Sequence, residues 1–196
     1  MRITGRGERH ASVASAMNNL ATACCRLGEF DRAEALLRSA LAIHRECEWH
    51  GSVGQDLNNL GLLLVGRERF AEARTALDEA LAIRSERLGP EHETVAQTSY
   101  ALGMLAARQG DLETAADRFR QAAAIQERAR PGFWHAADTR SRLGEILLEL
   151  GRIDEARPLL EASAAALRTA LGPDHEHTLE AEARLATLRS REASDR

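Results

Sequence analysis

The chain has 196 residues, a formal net charge of -4 at pH 7, and 26 basic residues, all of which are arginine. The absence of lysine excludes a Schiff-base lysine, a lysine nucleophile and the lysine of a phosphate-binding loop. Acidic and basic residues are interleaved, so the chain lacks the concentrated basic stripe with which proteins bind duplex nucleic acid.

The three cysteines, Cys24, Cys25 and Cys47, form no C-x-x-C pair and no even framework of disulfides. Such usage is typical of a reduced setting. No apolar run approaches the roughly 20 residues that cross a bilayer, and the first residues lack the apolar core of a secretory signal. We therefore expect a cytoplasmic protein that has neither a nucleic acid nor a membrane as its partner.

One stretch of sequence occurs four times along the chain. MNNLATACCRLGEFDRAEALLRSALAI, over residues 17–43, returns over residues 57–83 as LNNLGLLLVGRERFAEARTALDEALAI. Weaker copies follow over residues 99–125 and 140–166, with glycine and alanine in the same phase. Self-similarity at a period of about 40 residues is the signature of a helical repeat array, which forms one continuous unit.

Glycine and proline divide each repeat into two helices. After a polar lead-in over residues 1–10, a single domain is predicted over residues 11–191. Gly28 ends its first helix, and Asp31 is predicted to cap the second, with Glu34 completing a capping box. The predicted helix pairs are 11–27 with 31–48, 51–66 with 69–87, 92–109 with 112–129, and 135–150 with 153–170, so the repeats cover 11–48, 51–87, 92–129 and 135–170.

The last part of the array lacks a second helix. A helix is predicted over residues 175–191, and it covers the apolar flank of the helix before it, as a terminal cap must. Residues 192–196 are expected to form a frayed tail.

Small residues recur at two positions of each repeat, because no large side chain fits where two helices cross at about 8–10 Å. Leucine is expected to fill the layer beside these crossings. The first small position holds Ala21, Gly61, Gly103, Gly144 and Ala186, the second holds Ala33, Ala73, Ala115 and Ala156, and the leucines are Leu20, Leu60, Leu102, Leu143 and Leu185.

Histidines also recur in phase, but they do not indicate a metal site. Stacked helices place one histidine per repeat about 10 Å from the next, whereas zinc ligands lie about 2 Å from one ion. His175 and His177 are closer, but two ligands on a loop make a weak site. We expect the histidines either to pack between repeats or to cap the start of each first helix. The phased histidines are His10, His50, His92, His135 and His175.

The lead-in also follows the repeat phase. The spacing of Gly7 and His10 matches that of Gly89 and His92. The array therefore opens on the connector that normally follows an earlier repeat. Either a repeat was lost, or the chain was cut from a longer one.

Three motifs carry a resemblance to a known family: Leu57-Asn58-Asn59-Leu60-Gly61, Ala80-Leu81-Ala82-Ile83-Arg84 and Leu88-Gly89-Pro90-Glu91-His92. With them the chain resembles the tetratricopeptide repeat in its longer, kinesin-light-chain-like form, over residues 7–190. The resemblance implies an all-α, right-handed α-solenoid of antiparallel helix pairs, with four repeats and a C-terminal capping helix. The third and fourth repeats depart from it, because they lack the Asn-Asn pair.

The resemblance further implies that the first helices line a concave groove, and helical periodicity selects the residues that face it. In the resembled family, asparagines that match Asn19 and Asn59 tend to grip a peptide backbone. Arg26, Arg108 and Arg142 are suited to acidic side chains or a terminal carboxylate. The predicted binding residues are Asn18, Asn19, Thr22, Arg26, Gln55, Asn58, Asn59, Leu62, Gln97, Tyr100, Arg108, Asp138, Arg142 and Glu145.

Structural alternatives stand beside these binding roles. Asn18 and Asn58 would instead hold adjacent repeats in register, and Cys24 would be a small buried hydrophobe. Trp49 and Trp134 would be apolar plugs between repeats if buried, or anchors for a partner if exposed.

The sequence therefore predicts a non-enzymatic scaffold or adaptor, without cofactor or metal, that binds a peptide or helix of a partner protein in the groove. The alternatives are a self-associating structural module and the sensory domain of a larger regulatory protein. A catalytic or small-molecule groove around Cys25, Tyr100, Arg108 and Glu145 is less favoured, because no acid–base or nucleophile–base pair can be placed from the spacing.

Overall fold

The computed structural model describes the backbone of residues 5–194 and the side chains of residues 10–191 and 193. This part of the chain contains nine α-helices and no β-strand, so the predicted all-α class is confirmed. The helices are α1 (Gly5–Arg26), α2 (Phe30–Glu46), α3 (His50–Gly66), α4 (Phe70–Leu88), α5 (Glu93–Arg108), α6 (Leu112–Ala129), α7 (Trp134–Glu149), α8 (Ile153–Leu171) and α9 (Glu176–Ser194).

The main difference from the predicted bounds lies at the start of α1. This helix begins at Gly5 and not at residue 11, and no proline stands in residues 5–10 to prevent it. Residues 1–4 of the predicted lead-in lie outside the described residues. At the other end, α9 continues to Ser194, and residues 195–196 of the predicted tail also lie outside the described part.

The chain divides into two compact units, Met1–Pro90 and Glu91–Arg196, where the sequence predicts one domain. In the first unit α1 pairs with α2 and α3 with α4, and α2 packs on α3. In the second unit α5 pairs with α6 and α7 with α8, and α6 packs on α7 and α8 on α9. Helix pairs stacked in this way form an α-solenoid, as predicted. None of the described helices has the length and apolar character of a membrane-spanning segment.

The turn inside a helix pair depends on one residue in the left-handed region. Gly28 takes a φ of 78°, and its N–H donates to the carbonyl oxygen of Cys25 at 3.1 Å, which confirms that it ends α1. Glu68 takes the same position in the second pair with a φ of 60°. A residue with a Cβ pays about 1–2 kcal/mol for this conformation, so the turn geometry overrides local preference there.

The capping box predicted at the start of α2 is wrong. The N-cap is Glu29, which makes no side-chain cap hydrogen bond, and Asp31 already lies in the first turn. Because the turn after Gly28 is so short, α2 begins at Phe30. Glu34 instead accepts hydrogen bonds from Arg69 at 2.8 Å and from Arg38 at 2.9 Å.

Ala21 and the glycines Gly61, Gly103 and Gly144 lie at the helix crossings, as predicted, whereas the prediction for Ala186 is wrong, because this residue is exposed on α9. A Cβ on Gly61 would lie 2.5 Å from Leu77, and one on Gly144 would lie 2.6 Å from Leu160. The prediction for Leu20 is wrong, because this side chain is 44% exposed. No described helix packs on that face of α1. The alanines of the second position, Ala33, Ala73, Ala115 and Ala156, are fully buried.

We expect Gly61→Ala to lower the free energy of unfolding by about 1–3 kcal/mol, because its Cβ overlaps the Leu77 side chain. Gly51→Ala, in the same helix, is the matched control. Its Cβ meets nothing within 4 Å, and the substitution gains up to about 1 kcal/mol of helix propensity. Urea unfolding followed by circular dichroism measures both. Equal effects of the two substitutions would contradict the close crossing of α3 and α4.

Candidate functional site

An apolar cavity of about 280 Å³ opens between α1, α2 and α3 in the first unit. Phe30 and Leu62 on its walls are 48% and 39% exposed. The amide of Asn59 brings polar atoms to an otherwise largely apolar lining. The lining residues are Thr22, Cys25, Phe30, Leu37, Asn59, Leu62, Leu63 and Gly66.

The thiols near the cavity are not activated. Burial raises the pKa of Cys25, and the neighbouring Cys24 raises it further. Burial also raises the pKa of Cys24, which is only 2% exposed and so fits the small-hydrophobe interpretation. A catalytic cysteine requires the opposite shift, towards the thiolate.

Beside the cavity, three side-chain amides are joined in a single row between two buried charges. Arg84 Nη2 donates to Gln55 Oε1 at 2.9 Å, and Gln55 Nε2 donates to Asn59 Oδ1 at 3.2 Å. Asn59 Nδ2 then donates to Asn18 Oδ1 at 2.8 Å, and Asn18 Nδ2 donates to Asp56 Oδ1 at 2.5 Å. We call these five residues the amide relay. The relay links α1, α3 and α4.

The acidic end of the relay is closed by a buried histidine. His44 and Asp56 are each 1% exposed, and His44 Nδ1 lies 2.6 Å from Asp56 Oδ2. His44 Nε2 lies 3.2 Å from the carbonyl oxygen of Ala11 and 3.4 Å from the hydroxyl oxygen of Ser15, which can donate or accept. Burial raises the pKa of Asp56, and the hydrogen bonds from His44 and Asn18 oppose that shift. One proton is therefore held between His44 Nδ1 and Asp56 Oδ2.

The basic end of the relay is Arg84 on α4. Its side chain is 3% exposed, and Nη1 also donates to Asn58 Oδ1 at 3.3 Å. Burial lowers the pKa of Arg84 to about 10, so the guanidinium still carries its charge at neutral pH. A buried guanidinium must be met by acceptors, and the amide oxygens of Gln55 and Asn58 supply them.

In the second unit, several predicted binding residues gather around Arg184 of α9. This guanidinium donates to Glu145 and to Glu180, each at 2.9 Å, and to Ser141 at 3.3 Å. Arg142 donates to Glu180 at 3.0 Å, and its guanidinium lies 5.9 Å from the centre of the Tyr100 ring. These charges are met within the cluster. Burial raises the pKa of Tyr100 to about 12, so its hydroxyl stays protonated.

Three groups in the second unit approach the arrangement of a metal site. Asp138, His177 and Glu180 offer ligand atoms that all lie within 4.8 Å of one another. His177 Nδ1 lies 3.2 Å from Asp138 Oδ1, and Glu180 is held by the two guanidinium groups of Arg142 and Arg184. Protein partners therefore already neutralise the groups that an ion would need.

We call the contact between the second helix of one pair and the first helix of the next pair a joint. Equivalent positions at these joints carry different kinds of side chain. At the α2–α3 joint the pair is a hydrogen-bonded imidazole and carboxylate. At the α6–α7 joint a buried hydroxyl donates to an amide oxygen at 2.8 Å, and at the α8–α9 joint two apolar side chains share one cluster, against which Trp134 packs as a plug. The pairs are His44 with Asp56, Gln126 with Thr139, and Leu167 with Ala181.

Sequence comparison identifies the family of this array. A model described as tetratricopeptide repeat matches residues 56–128 and 135–195, and a second model of the same description matches residues 13–46. The chain belongs to the tetratricopeptide repeat family. A comparison with curated protein sequences finds no match.

Solved tetratricopeptide repeat structures share the fold at low identity. A putative kinesin light chain of Podosopora anserina, with nearly identical TPR-like repeats, is 22% identical, with a TM-score of 0.77 over 94% of this chain and 89% of that one. A Rap protein complexed with competence and sporulation factor is 21% identical, with a TM-score of 0.73 over 91% and 54%. YrrB, a TPR protein with an unusual peptide-binding site, is 20% identical, with a TM-score of 0.51 over 89% and 85%.

The tetratricopeptide fold divides the predicted binding residues into surface and interior groups. Asn18, Asn58 and Asp138 are 6%, 4% and 6% exposed and hydrogen-bonded inside the protein. Asn18 joins the first and second pairs, which is the register role that the sequence left open. Tyr100, Arg142 and Glu145 are half-buried in the second unit. Asn59 is half-buried at the cavity. The predicted binding residues that are exposed are Asn19, Thr22, Arg26, Gln55, Leu62, Gln97 and Arg108.

The sequence-based prediction missed the residues that build the cavity floor and the relay ends. Phe30 and Leu37 lie on α2, outside the phase that selects the first-helix face. Asp56 carried a visible signal, because it is the single carboxylate of α3, a helix otherwise rich in leucine. A lone carboxylate in such a helix indicates a buried partner.

Cys25 should react with iodoacetamide more slowly at pH 7.5 than a cysteine in an unfolded peptide does. Burial raises its pKa, so less thiolate is present, and half-maximal rate should be reached above the usual pKa of about 8.5. Mass spectrometry of the peptide over residues 10–26 measures the rate, with the more buried Cys24 as internal control. A Cys25 rate equal to that of the unfolded peptide, or equal rates at Cys24 and Cys25, would be inconsistent with this site.

Proposed function

We propose that this protein is a non-enzymatic interaction module that binds an extended segment of a partner protein across the cavity of the first unit. The observation that carries the proposal is the cavity itself, an apolar recess with a hydrogen-bonded amide at its edge. The predicted peptide-binding role is thereby assigned to Asn59, Gln55, Thr22 and Leu62, the residues that reach this surface.

The size and chemistry of the recess suit a polypeptide. Its volume of about 280 Å³ lies just below the range of about 300–1,000 Å³ typical of small-molecule pockets. One or two large apolar side chains would fill it. The amides of Asn59 and Gln55 each donate and accept, as the N–H and C=O groups of a bound backbone require.

The related folds support this assignment, and the chemistry of the site argues against catalysis. Two of the similar structures are described as a complex with competence and sporulation factor and as a protein with a peptide-binding site. In the present chain the thiol of Cys25 has a raised pKa. The arginines Arg142 and Arg184 are held by carboxylates. Neither arrangement activates a nucleophile or a general base.

The test is panning of the immobilised protein against a displayed library of random 12-residue peptides. We expect peptides with a large apolar residue to be enriched, and Leu62→Glu to weaken their binding by at least about tenfold, because a charge would enter the apolar recess. Fluorescence anisotropy of a labelled, enriched peptide measures the affinity.

Leu179→Glu is the matched control, because Leu179 is equally apolar and 53% exposed but lies on α9 in the other unit. It should change the affinity by less than about twofold, since isolated surface substitutions have small effects. The proposal fails if no peptide is enriched over an unrelated helical protein. It also fails if the two substitutions weaken binding equally.

A second candidate function is self-association through α1. Val13, Leu20 and Leu27 follow one another at heptad spacing, and they are 49%, 44% and 75% exposed. Their counterparts in α3, Val53 and Leu60, are buried against the preceding pair. Of the described helices, only α2 and α3 pack on α1.

If α1 mediates self-association, sedimentation velocity should show a dimer that dissociates on dilution, and Leu20→Glu should abolish it, because the charge would be buried at the interface. Leu179→Glu again serves as control. A monomer mass at every concentration, or a dimer indifferent to Leu20→Glu, rejects this candidate.

A further inference from the structure

We propose that Asp56 and Arg84 are positioning residues, which fix the amides of Asn59 and Gln55 in one orientation and so make the site accept a peptide backbone in one chain direction. The inference rests on the proposed function, because it concerns the same surface. The orientation of the two amides can also be tested in the free protein, without any ligand.

The acidic end of the relay fixes the orientation of the Asn18 amide. Asp56 Oδ1 lies 2.5 Å from the Asn18 amide, and Asn18 is almost fully buried. The carboxylate oxygen only accepts here, so Asn18 must turn its NH₂ group towards Asp56. The carbonyl oxygen of Asn18 is then left for Asn59, which must answer with its own NH₂ group, at 2.8 Å.

The histidine keeps this assignment independent of where its proton lies. His44 Nδ1 lies 2.6 Å from Asp56 Oδ2, so one proton lies between these two atoms. Whether that proton is closer to the ring or to the carboxylate, it does not sit on Oδ1. Asp56 Oδ1 therefore remains an acceptor for Asn18 in both forms.

The basic end of the relay imposes the same direction independently. A guanidinium has donors only, so Gln55 must turn Oε1 towards Arg84, at 2.9 Å. Gln55 Nε2 is then directed to Asn59 Oδ1, at 3.2 Å. All four hydrogen bonds thus run from Arg84 to Asp56. Reversal of any one amide would set like groups against each other on both sides of it, so the orientation is shared along the relay.

The relay leaves some hydrogen-bond donors and acceptors of Asn59 and Gln55 unused at the surface, in a fixed arrangement. Each amide has two N–H donors and two carbonyl lone pairs, and the relay uses one of each on Asn59 and on Gln55. The remaining donor and acceptor of Asn59 stand in a set order at the edge of the cavity. An extended backbone whose apolar side chain enters the cavity meets that order in only one of its two chain directions.

The described residues of the second unit contain no equivalent relay. Its residue at the Asp56 position is Thr139, which donates to Gln126 at the His44 position. Its residue at the Arg84 position is the buried and apolar Leu167. Arg142 stands at the Asn59 position and pairs with Glu180. Directional reading is therefore assigned to the first unit alone.

The experiment compares wild type, the single variants Asp56→Asn and Arg84→Gln, and the double variant that combines them. Each substitution replaces a charged end by an amide that can face either way. The probe is the peptide enriched in the panning, together with a peptide of the reversed sequence. Side-chain NH₂ resonances of Asn59, in ¹H–¹⁵N spectra of the free protein, report the amide orientation. Thr139→Val, which removes the equivalent buried hydrogen bond in the second unit, is the matched control.

Wild type and Thr139→Val should show one set of Asn59 NH₂ signals and bind the forward peptide at least about tenfold more tightly than the reversed one. Because either charged end alone imposes the direction, each single variant should keep one set of signals. The double variant should show two sets, or exchange-broadened signals, and lose most of that discrimination. A merely structural role would lower stability without changing the ratio of the two affinities. If the double variant does not fold, Asp56→Ser combined with Arg84→Gln carries the test, because a serine hydroxyl can also donate or accept.

Three results would overturn the proposal. A single, unshifted set of Asn59 signals in the double variant would show that the charges do not set the orientation, whatever the peptide does. Two sets of signals with unchanged discrimination would leave the relay in place but remove its role in recognition. Failure of the panning would reject the proposed function and the directional reading together, and the spectra would still decide the orientation of the amides.

Discussion

The first unit depends on two opposite charges that are buried without touching each other. A buried charge is costly unless hydrogen bonds replace its hydration. Here three amides supply those bonds, and Asp56 shares a proton with His44. The same contacts join α4 to α3, α3 to α1 and α2 to α3. The hydrogen bonds that hold the helix pairs together therefore also orient the side-chain amides beside the cavity.

The two units solve a similar problem in different ways. In the second unit Arg142 and Arg184 are paired directly with carboxylates, so the cluster is closed on itself. In the first unit the charges are separated, and the amides between them keep donors and acceptors for a ligand. An exposed ion pair contributes little energy and is screened by salt. Neutral amides that are oriented by buried charges are far less sensitive to salt.

The sequence predicted the repeated helix pairs and the buried small residues at their crossings, because glycine spacing and helical periodicity are local signals. It also placed Asn18, Asn59 and Gln55 on the right helices. It could not predict the relay, because each of its bonds joins residues from different helices or depends on which way an amide turns. The cavity was missed for a related reason, since Phe30 and Leu37 reach it from α2.

The joints between helix pairs bear on how such an array can change. Duplicated repeats are often treated as interchangeable modules. Here, however, the two side chains at each joint are complementary only to each other. Moving α3 to follow α6 would set Asp56 against Gln126 and leave the imidazole of His44 behind. A permuted array would thus lose the proton that neutralises its carboxylate. Each interface fits only its own two helices. Recombination that reorders the repeats within this gene would therefore impair folding and be selected against.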